Sequence, residues 1–315
     1  MVAGSTRSSA RVDVLMGGVS AEHDISVLSG EAVCEALKDL GYSVRKIMVE
    51  GALPSEVVPE NTDVAFVALH GGAGEDGTIQ AQLEDAGVSY TGSNSQASRL
   101  AMNKLAAKRI FEENAIPTPV SFEVGSDTQD NDVLNAARRI GFPLVVKPVS
   151  EGSTLGVSIV PDEGGLGEAV ESARAFRKGV FLESFIAGKE LTVGIIGDEA
   201  LPVVEIRAGG GFYDYSAKYK DAETEYLTEI DIPKKLYDSV RKIGRAAHAA
   251  LGCRHLSRVD LRLSKEMKPF VLEVNTIPGL TCRSLLPKAA WAAGMSYADL
   301  IERIILLAMK GSEEE

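Results

Sequence analysis

Short apolar runs alternate with stretches of helical spacing over the first hundred residues. Residues 11–16 read as a strand, followed by a Gly17-Gly18-Val19-Ser20 turn. A helix follows with an apolar stripe of Ile25, Leu28, Val33, Ala36, Leu37 and Leu40, Ser20 as its N-cap and Gly41 as its stop. Residues 43–49 and 64–69 are further strands, the second a buried-type run ending at His70. Residues 80–86 read as a short helix and 88–90 as a short strand. Strands alternating with helices predict an open parallel sheet.

The pattern changes after Gly92-Ser93-Asn94. Residues 98–114 are helical, and Pro117-Thr118-Pro119 ends that helix. A helix over 133–140 stops at Gly141. Strands over 143–147 and 156–160 flank a loop, and a helix over 166–176 with a strand over 180–183 completes a small α+β unit. From Glu190 the chain runs strand, strand, then a long glycine- and tyrosine-rich loop over 208–225. A helix over 233–251, two strands and a closing helix over 297–309 follow.

Composition narrows the classes. The chain has 315 residues, 45% of them apolar and 25% charged, an ordinary globular balance. Its net charge of −12 argues against sequence-independent nucleic-acid binding, which needs a basic surface. No apolar run approaches the ~18 residues of a membrane span. Cys34, Cys253 and Cys282 are odd in number and widely spaced, which rules out a disulfide scaffold or a thiolate zinc site. Residues 1–10 lack an apolar core and read as a disordered extension rather than a secretory signal. A reducing cytoplasm is the expected compartment.

Two places carry candidate chemistry. The loop Ser150-Glu151-Gly152-Ser153-Thr154-Leu155-Gly156 follows Lys147 and leads into a strand, not a helix. It is therefore no Walker loop, but a hairpin whose N–H groups and hydroxyls can close over phosphates. The second place is a hairpin. Residues 256–263 alternate strictly from Arg258 onward, and Phe270-Val271-Leu272-Glu273-Val274-Asn275 is also strand-like. With Ser264 opposite Pro269, Asp260 faces Glu273 and Arg258 faces Asn275. All four share one face, with Val259, Leu261, Leu272 and Val274 on the other. Facing like charges destabilise a sheet, so either one carboxyl takes a proton or a cation sits between them. Mg²⁺ fits, being held by one or two carboxylates plus substrate phosphates, with Asn275 supplying a neutral oxygen.

Lys147 before a Ser/Gly hairpin, Arg258-x-Asp260 and Glu273-x-Asn275-x-x-Pro278-Gly279 together resemble the ATP-grasp ligases. More narrowly, three further stretches look like the D-alanine–D-alanine ligase family. They are Gly17-Gly18-x-Ser20-x-Glu22-His23-x-x-Ser26, His70-Gly71-x-x-Gly74-Glu75-Asp76-Gly77, and Thr281 with Ser284-Leu285-x-Pro287. The resemblance runs in order over nearly the whole chain. It implies an α/β and α+β protein: an N-terminal Rossmann-like domain over 11–103, a central ATP-grasp subdomain over 104–189 and a C-terminal one over 190–315. It also implies ATP with Mg²⁺ or Mn²⁺, two ions, held by Asp260, Glu273 and Asn275. Two D-alanine molecules are the implied substrates, and a homodimer the implied assembly.

The resemblance assigns roles residue by residue. Lys104 and Lys147 would contact the ATP phosphates. Glu183 would lie by the adenine-binding linker Ser184-Phe185-Ile186, and Glu190 would bind the ribose hydroxyls. Glu22, in the first turn of the first helix, would bind the ammonium of the first D-alanine, in a hydrogen-bonded set with Ser153 and Tyr219. His70 would lie near that substrate's carboxylate. Lys218 would meet the transferring phosphoryl group and Tyr219 the second substrate. Arg258 and the Gly279 N–H would stabilise a tetrahedral oxyanion, and Ser284 and Leu285 would sit at the second carboxylate. The implied reaction proceeds through an acyl phosphate. Ligases for D-lactate or D-serine, or a non-catalytic nucleotide-binding module, are the alternatives.

Overall fold

The computed structural model describes residues 10–209 and 224–311. Those residues form three sheets. The first holds β1 (Arg11–Gly17), β2 (Ser43–Val49) and β3 (Val64–Val67), all parallel in the order β2-β1-β3. Helix α1 (His23–Asp39) packs on one face, and α2 (Thr78–Asp85) helps cover the other. Val12, Val14 and Met16 of β1 point into one core cluster and Leu15 into another, so the strand is buried on both faces, as its unbroken apolar run requires. The strand expected over 88–90 reduces to a single parallel bridge between Tyr90 and Ala65. Most of the extension expected over 1–10 lies outside the described residues. Its last residue, Ala10, is buried, and its carbonyl accepts from the Ser43 N–H at 3.0 Å.

The helix expected over 98–114 is two helices, α3 (Ser95–Met102) and α4 (Lys104–Glu113). Asn103 breaks it. Its backbone is extended, and its side chain accepts from the Ala106 N–H at 3.0 Å, capping α4.

The second sheet runs β4 (Ser121–Val124), β7 (Val180–Ser184), β5 (Leu144–Pro148), β6 (Ser158–Val160), all antiparallel. Helices α5 (Asp130–Ile140) and α6 (Leu166–Arg174) bury their apolar stripes against it. The third sheet is β10 (Glu225–Leu227), β9 (Glu199–Arg207), β8 (Gly188–Ile196), β11 (Leu256–Ser264), β12 (Pro269–Asn275), also antiparallel. Helix α7 (Lys234–Ala250) covers one face together with Phe111 of α4, and α8 (Leu285–Ala292) packs on the other. The closing helix α9 (Tyr297–Gly311) brings Leu300, Ile301, Ile304 and Ile305 into one core with Val12 and Val14 of the first sheet and Val204 of the third. Among the described residues no helix is long and apolar enough to cross a membrane.

Candidate active site

The hairpin of β11 and β12 supplies the centre. Asp260 pairs with Glu273 and Arg258 with Asn275, the register expected. Beyond Asp260 the ladder slips by one, so Leu263 rather than Ser264 faces Pro269. A β-bulge causes the slip. Val271 now faces Leu261 and takes the core place expected of Leu272, while Leu272 lines a cavity beside Glu273. Asp260 is held from several sides. Arg258 donates two hydrogen bonds to it, at 2.9 and 2.7 Å, Thr192 donates at 2.7 Å and the Asn275 amide at 3.0 Å. Lys104, the first residue of α4, lies 3.1 Å from a Glu273 oxygen and donates to the Glu151 carbonyl at 2.6 Å.

Against Asp260 and Glu273, between the second and third sheets, lies a cavity of about 100 Å³. Lys104, Lys147, Glu183, Ser184, Phe185, Ile186 and Glu190 line it, with Asp260 and Glu273. Glu183 is fully buried between two ammonium groups. Lys147 donates to one oxygen, and Lys108 Nζ lies 2.7 Å from the other. Burial pushes the Glu183 carboxyl up, but Lys147 and Lys108 outweigh it and hold it below the usual carboxylate range. Burial drives the Lys108 ammonium below its ordinary value against the pull of Glu183. Glu190 accepts from Arg262 at 2.9 Å, and Arg262 also donates to the carbonyls of Ile186 and Gly188 at 3.1 and 3.0 Å. That guanidinium therefore fixes the linker.

Beside this cavity, against Arg258 and Asn275 on the same face, opens a cleft of about 990 Å³. Glu22, His70, Ser153, Arg258, Asn275, Gly279, Ser284 and Leu285 all line it. Glu22 is the residue before α1, not within its first turn, and Ser20 accepts from its N–H at 3.1 Å instead of capping the helix. The Ser153 hydroxyl donates to Glu22 at 2.5 Å. Ser153 and Thr154 both take positive φ, +50° and +64°, so the loop after Lys147 is bent back on itself. It reaches both spaces: Gly152 and Ser153 line the cleft, Glu151 and Thr154 the cavity. His70 is buried, its Nε2 2.9 Å from Ser29 Oγ and its Nδ1 3.9 Å from Glu75. A methyl group on Gly279 would lie 2.8 Å from Ser284 Oγ, so the glycine lets the Ser284 side chain sit against the backbone here.

Residues 114–306 match the family model described as the D-ala D-ala ligase C-terminus, and residues 52–93 that of the D-ala D-ala ligase N-terminus. A D-alanine–D-alanine ligase of Pelotomaculum thermopropionicum is 43% identical over 308 residues, 95% of this chain and 97% of that protein. The chain belongs to the D-alanine–D-alanine ligase family. The crystal structure of the D-alanine–D-alanine ligase from Bacillus anthracis superposes with a TM-score of 0.84 at 37% identity, over 97% of this chain and 99% of that one. The same enzyme complexed with ATP gives 0.83 at 37% identity, with the same coverage. The fold is accordingly the ATP-grasp fold of the D-alanine–D-alanine ligases, led by a parallel α/β sheet.

Lys218 and Tyr219, which the resemblance puts at the transferring phosphoryl group and the second substrate, lie outside the described residues. Every other residue expected at the site falls in one of the two spaces. Four further residues escaped the sequence reading. Arg262 and Thr192 touch Glu190 and Asp260; Arg262 was legible in the alternation of Arg258, Asp260 and Arg262 along β11. Lys108 and Leu272 carried no signal, the one looking like a solvated lysine, the other hidden by the bulge.

Proposed function

We propose that this chain joins two D-alanine molecules into D-alanyl-D-alanine with ATP, for peptidoglycan precursor synthesis. One observation carries the reading: the cavity and the cleft share a wall. Asp260 lines the first, Arg258 the second, and the two side chains are bonded to each other. A phosphoryl group passing from nucleotide to an amino-acid carboxylate needs two such sites in contact at one point. Three working units are part of the proposal, at 11–103, 104–189 and 190–315, each built around one sheet.

A free carboxylate does not acylate an amine at neutral pH and must first gain a leaving group. In this reading the carboxylate of the first D-alanine, its ammonium held by Glu22 with Ser153 behind it, attacks the γ-phosphate of ATP. Lys147, Lys104 and Lys218 offset charge on the phosphates as the bond breaks. The amine of the second D-alanine, freed of its proton, then attacks the acyl phosphate; the tetrahedral oxyanion falls to Arg258 and the Gly279 N–H and collapses to the amide with loss of inorganic phosphate. Ser284 and Leu285 receive the second carboxylate. Glu183, the linker Ser184-Phe185-Ile186 and Glu190 hold the nucleoside.

The donor set suits a hard divalent ion. Two carboxylates face each other with an amide one step along, and the charges now balancing them, on Arg258 and Lys104, are cations. Among the described residues no cluster of three or more acidic, His or Cys side chains could hold a metal alone, and Mg²⁺ is ordinarily held by one or two carboxylates plus substrate phosphates. Asp260, Glu273 and Asn275 would hold Mg²⁺ or Mn²⁺, two ions, which would screen the phosphate charge. A cytoplasmic homodimer with no nucleic-acid or membrane partner belongs to the same proposal, on family likeness. Ligases for D-lactate or D-serine and a non-catalytic module are not favoured, since the relative at 43% identity is a D-alanine–D-alanine ligase.

The test is phosphate release with D-alanine as sole amino acid, with and without magnesium. Release that needs both is expected. Glu273→Gln should keep its circular dichroism and lose the metal-dependent release; wild-type turnover in that variant would defeat the assignment.

A further inference from the structure

Glu183 serves two ammonium groups of different standing. It is 1% exposed, at the end of β7. Lys147 lines the nucleotide cavity. Lys108 sits behind it on α4, 2% exposed, with Nζ 2.7 Å from Glu183, 2.8 Å from Thr118 Oγ1 and 2.7 Å from the Pro119 carbonyl. Thr118 donates in turn to the Val271 carbonyl of β12 at 2.9 Å, next to the bulge. Lys108 thus ties β7 of the second sheet to β12 of the third, behind the space they enclose.

We propose that Lys108 is a positioning residue for nucleotide binding, the resident counter-ion of Glu183 that frees Lys147 for the phosphates. The inference rests on reading Lys147 as a phosphate ligand. Its logic is charge balance. In this structure Lys147 is committed to Glu183. To meet a phosphate it must leave, and a buried carboxylate stripped of its last cation is strongly destabilised. Lys108 prevents that, because Glu183 keeps one ammonium throughout. Lys108 cannot itself go to the nucleotide: its ammonium is buried, donates to Thr118 and the Pro119 carbonyl, and is paired with Glu183. Without Lys108 the apo protein keeps one cation on Glu183, but Lys147 is trapped there. Folding should therefore survive better than binding.

The experiment measures the affinity of Mg·ADP by calorimetry and the KM for ATP, in wild type, Lys108→Met, Glu183→Gln, Lys108→Met/Glu183→Gln and Lys147→Met. Lys108→Met should raise the ADP Kd and the ATP KM about tenfold or more while kcat at saturating ATP stays within about threefold. Adding Glu183→Gln removes the stranded charge and should return ADP affinity to within about threefold of that of Glu183→Gln alone. A purely structural lysine would change stability and leave the ADP Kd and the ATP KM unmoved. Wild-type affinity in Lys108→Met, or a double variant about tenfold weaker than Glu183→Gln alone, overturns the inference. If Lys108→Met does not fold, the double variant is compared with Glu183→Gln: affinity within about threefold of it upholds the inference and a further loss of about tenfold overturns it. Lys147→Met separates the two readings. Weak binding there beside normal binding in Lys108→Met sinks the counter-ion role only; normal binding in Lys147→Met removes the phosphate role of Lys147 and this inference with it.

Discussion

Gly71 shows how tightly single positions are set around the first-substrate end of the cleft. Its φ is +68°, and a methyl group there would lie 2.7 Å from Glu22 Oε2 and 3.0 Å from Ser20 Oγ. Gly71→Ala therefore strains the backbone and pushes away the carboxylate proposed for the ammonium. The KM for D-alanine should rise about ten- to a hundredfold, the loss expected of a binding group misplaced by roughly an ångström. ADP affinity should not change, because Glu22 does not line the nucleotide cavity. Equal losses for both ligands would show the site to be one connected unit instead. At this scale the sequence was most informative where chemistry forces a pairing. Asp260 and Glu273 were readable because strand alternation puts both acids on one face and like charges demand a cation. Lys108 was not, since a lysine on an amphipathic helix ordinarily points to water. Only the tertiary packing of α4 against β7 shows otherwise.

Elements are legible by period and less so by their interruptions. The parallel first sheet and the antiparallel hairpin follow from apolar patterning. The break at Asn103 does not, because helical spacing continues through it on both sides. That break has a use: it starts a new helix at Lys104, which reaches Glu151 and Glu273. Asn103→Ala removes the cap on the Ala106 N–H and should lower stability by about 1 kcal/mol. It should also raise the KM for ATP several-fold, by letting the first turn of α4 fray and Lys104 drift. Chemical denaturation and steady-state kinetics check the two parts, and a variant that loses stability with an unchanged KM would detach the cap from the site. The bulge in β12 is the other interruption. One inserted residue turns Leu272 from the core to the nucleotide cavity, and no periodicity in so short a strand announces it.

The sheets are joined by buried contacts that include titratable groups, which gives the whole molecule a pH dependence. His248 of α7 is 5% exposed, and its Nδ1 lies 2.7 Å from Ser257 Oγ of β11. Burial lowers its pKa to about 4, with Asp198 opposing weakly. His255, with φ +63°, accepts from the Gly92 N–H at 3.1 Å and so pins the first unit's last loop to the third sheet. Its pKa also falls to about 4, through burial first and then Arg254 and His248. Both imidazoles fold neutral. The unfolded chain takes up their protons near pH 6.5, so it binds more protons than the native state between there and pH 4. Stability is thus fullest above pH 6.5 and declines through that window. For His248 the expected loss between pH 7 and pH 5 is about 2 kcal/mol. Urea unfolding at the two pH values measures it, in wild type and in His248→Gln, which keeps a side chain able to bond Ser257 but cannot titrate. The variant should be less stable at pH 7 yet lose about 2 kcal/mol less on acidification. A variant whose stability falls as steeply as wild type would mean that His248 is already protonated in the folded protein, and that the junction of α7 and β11 admits water.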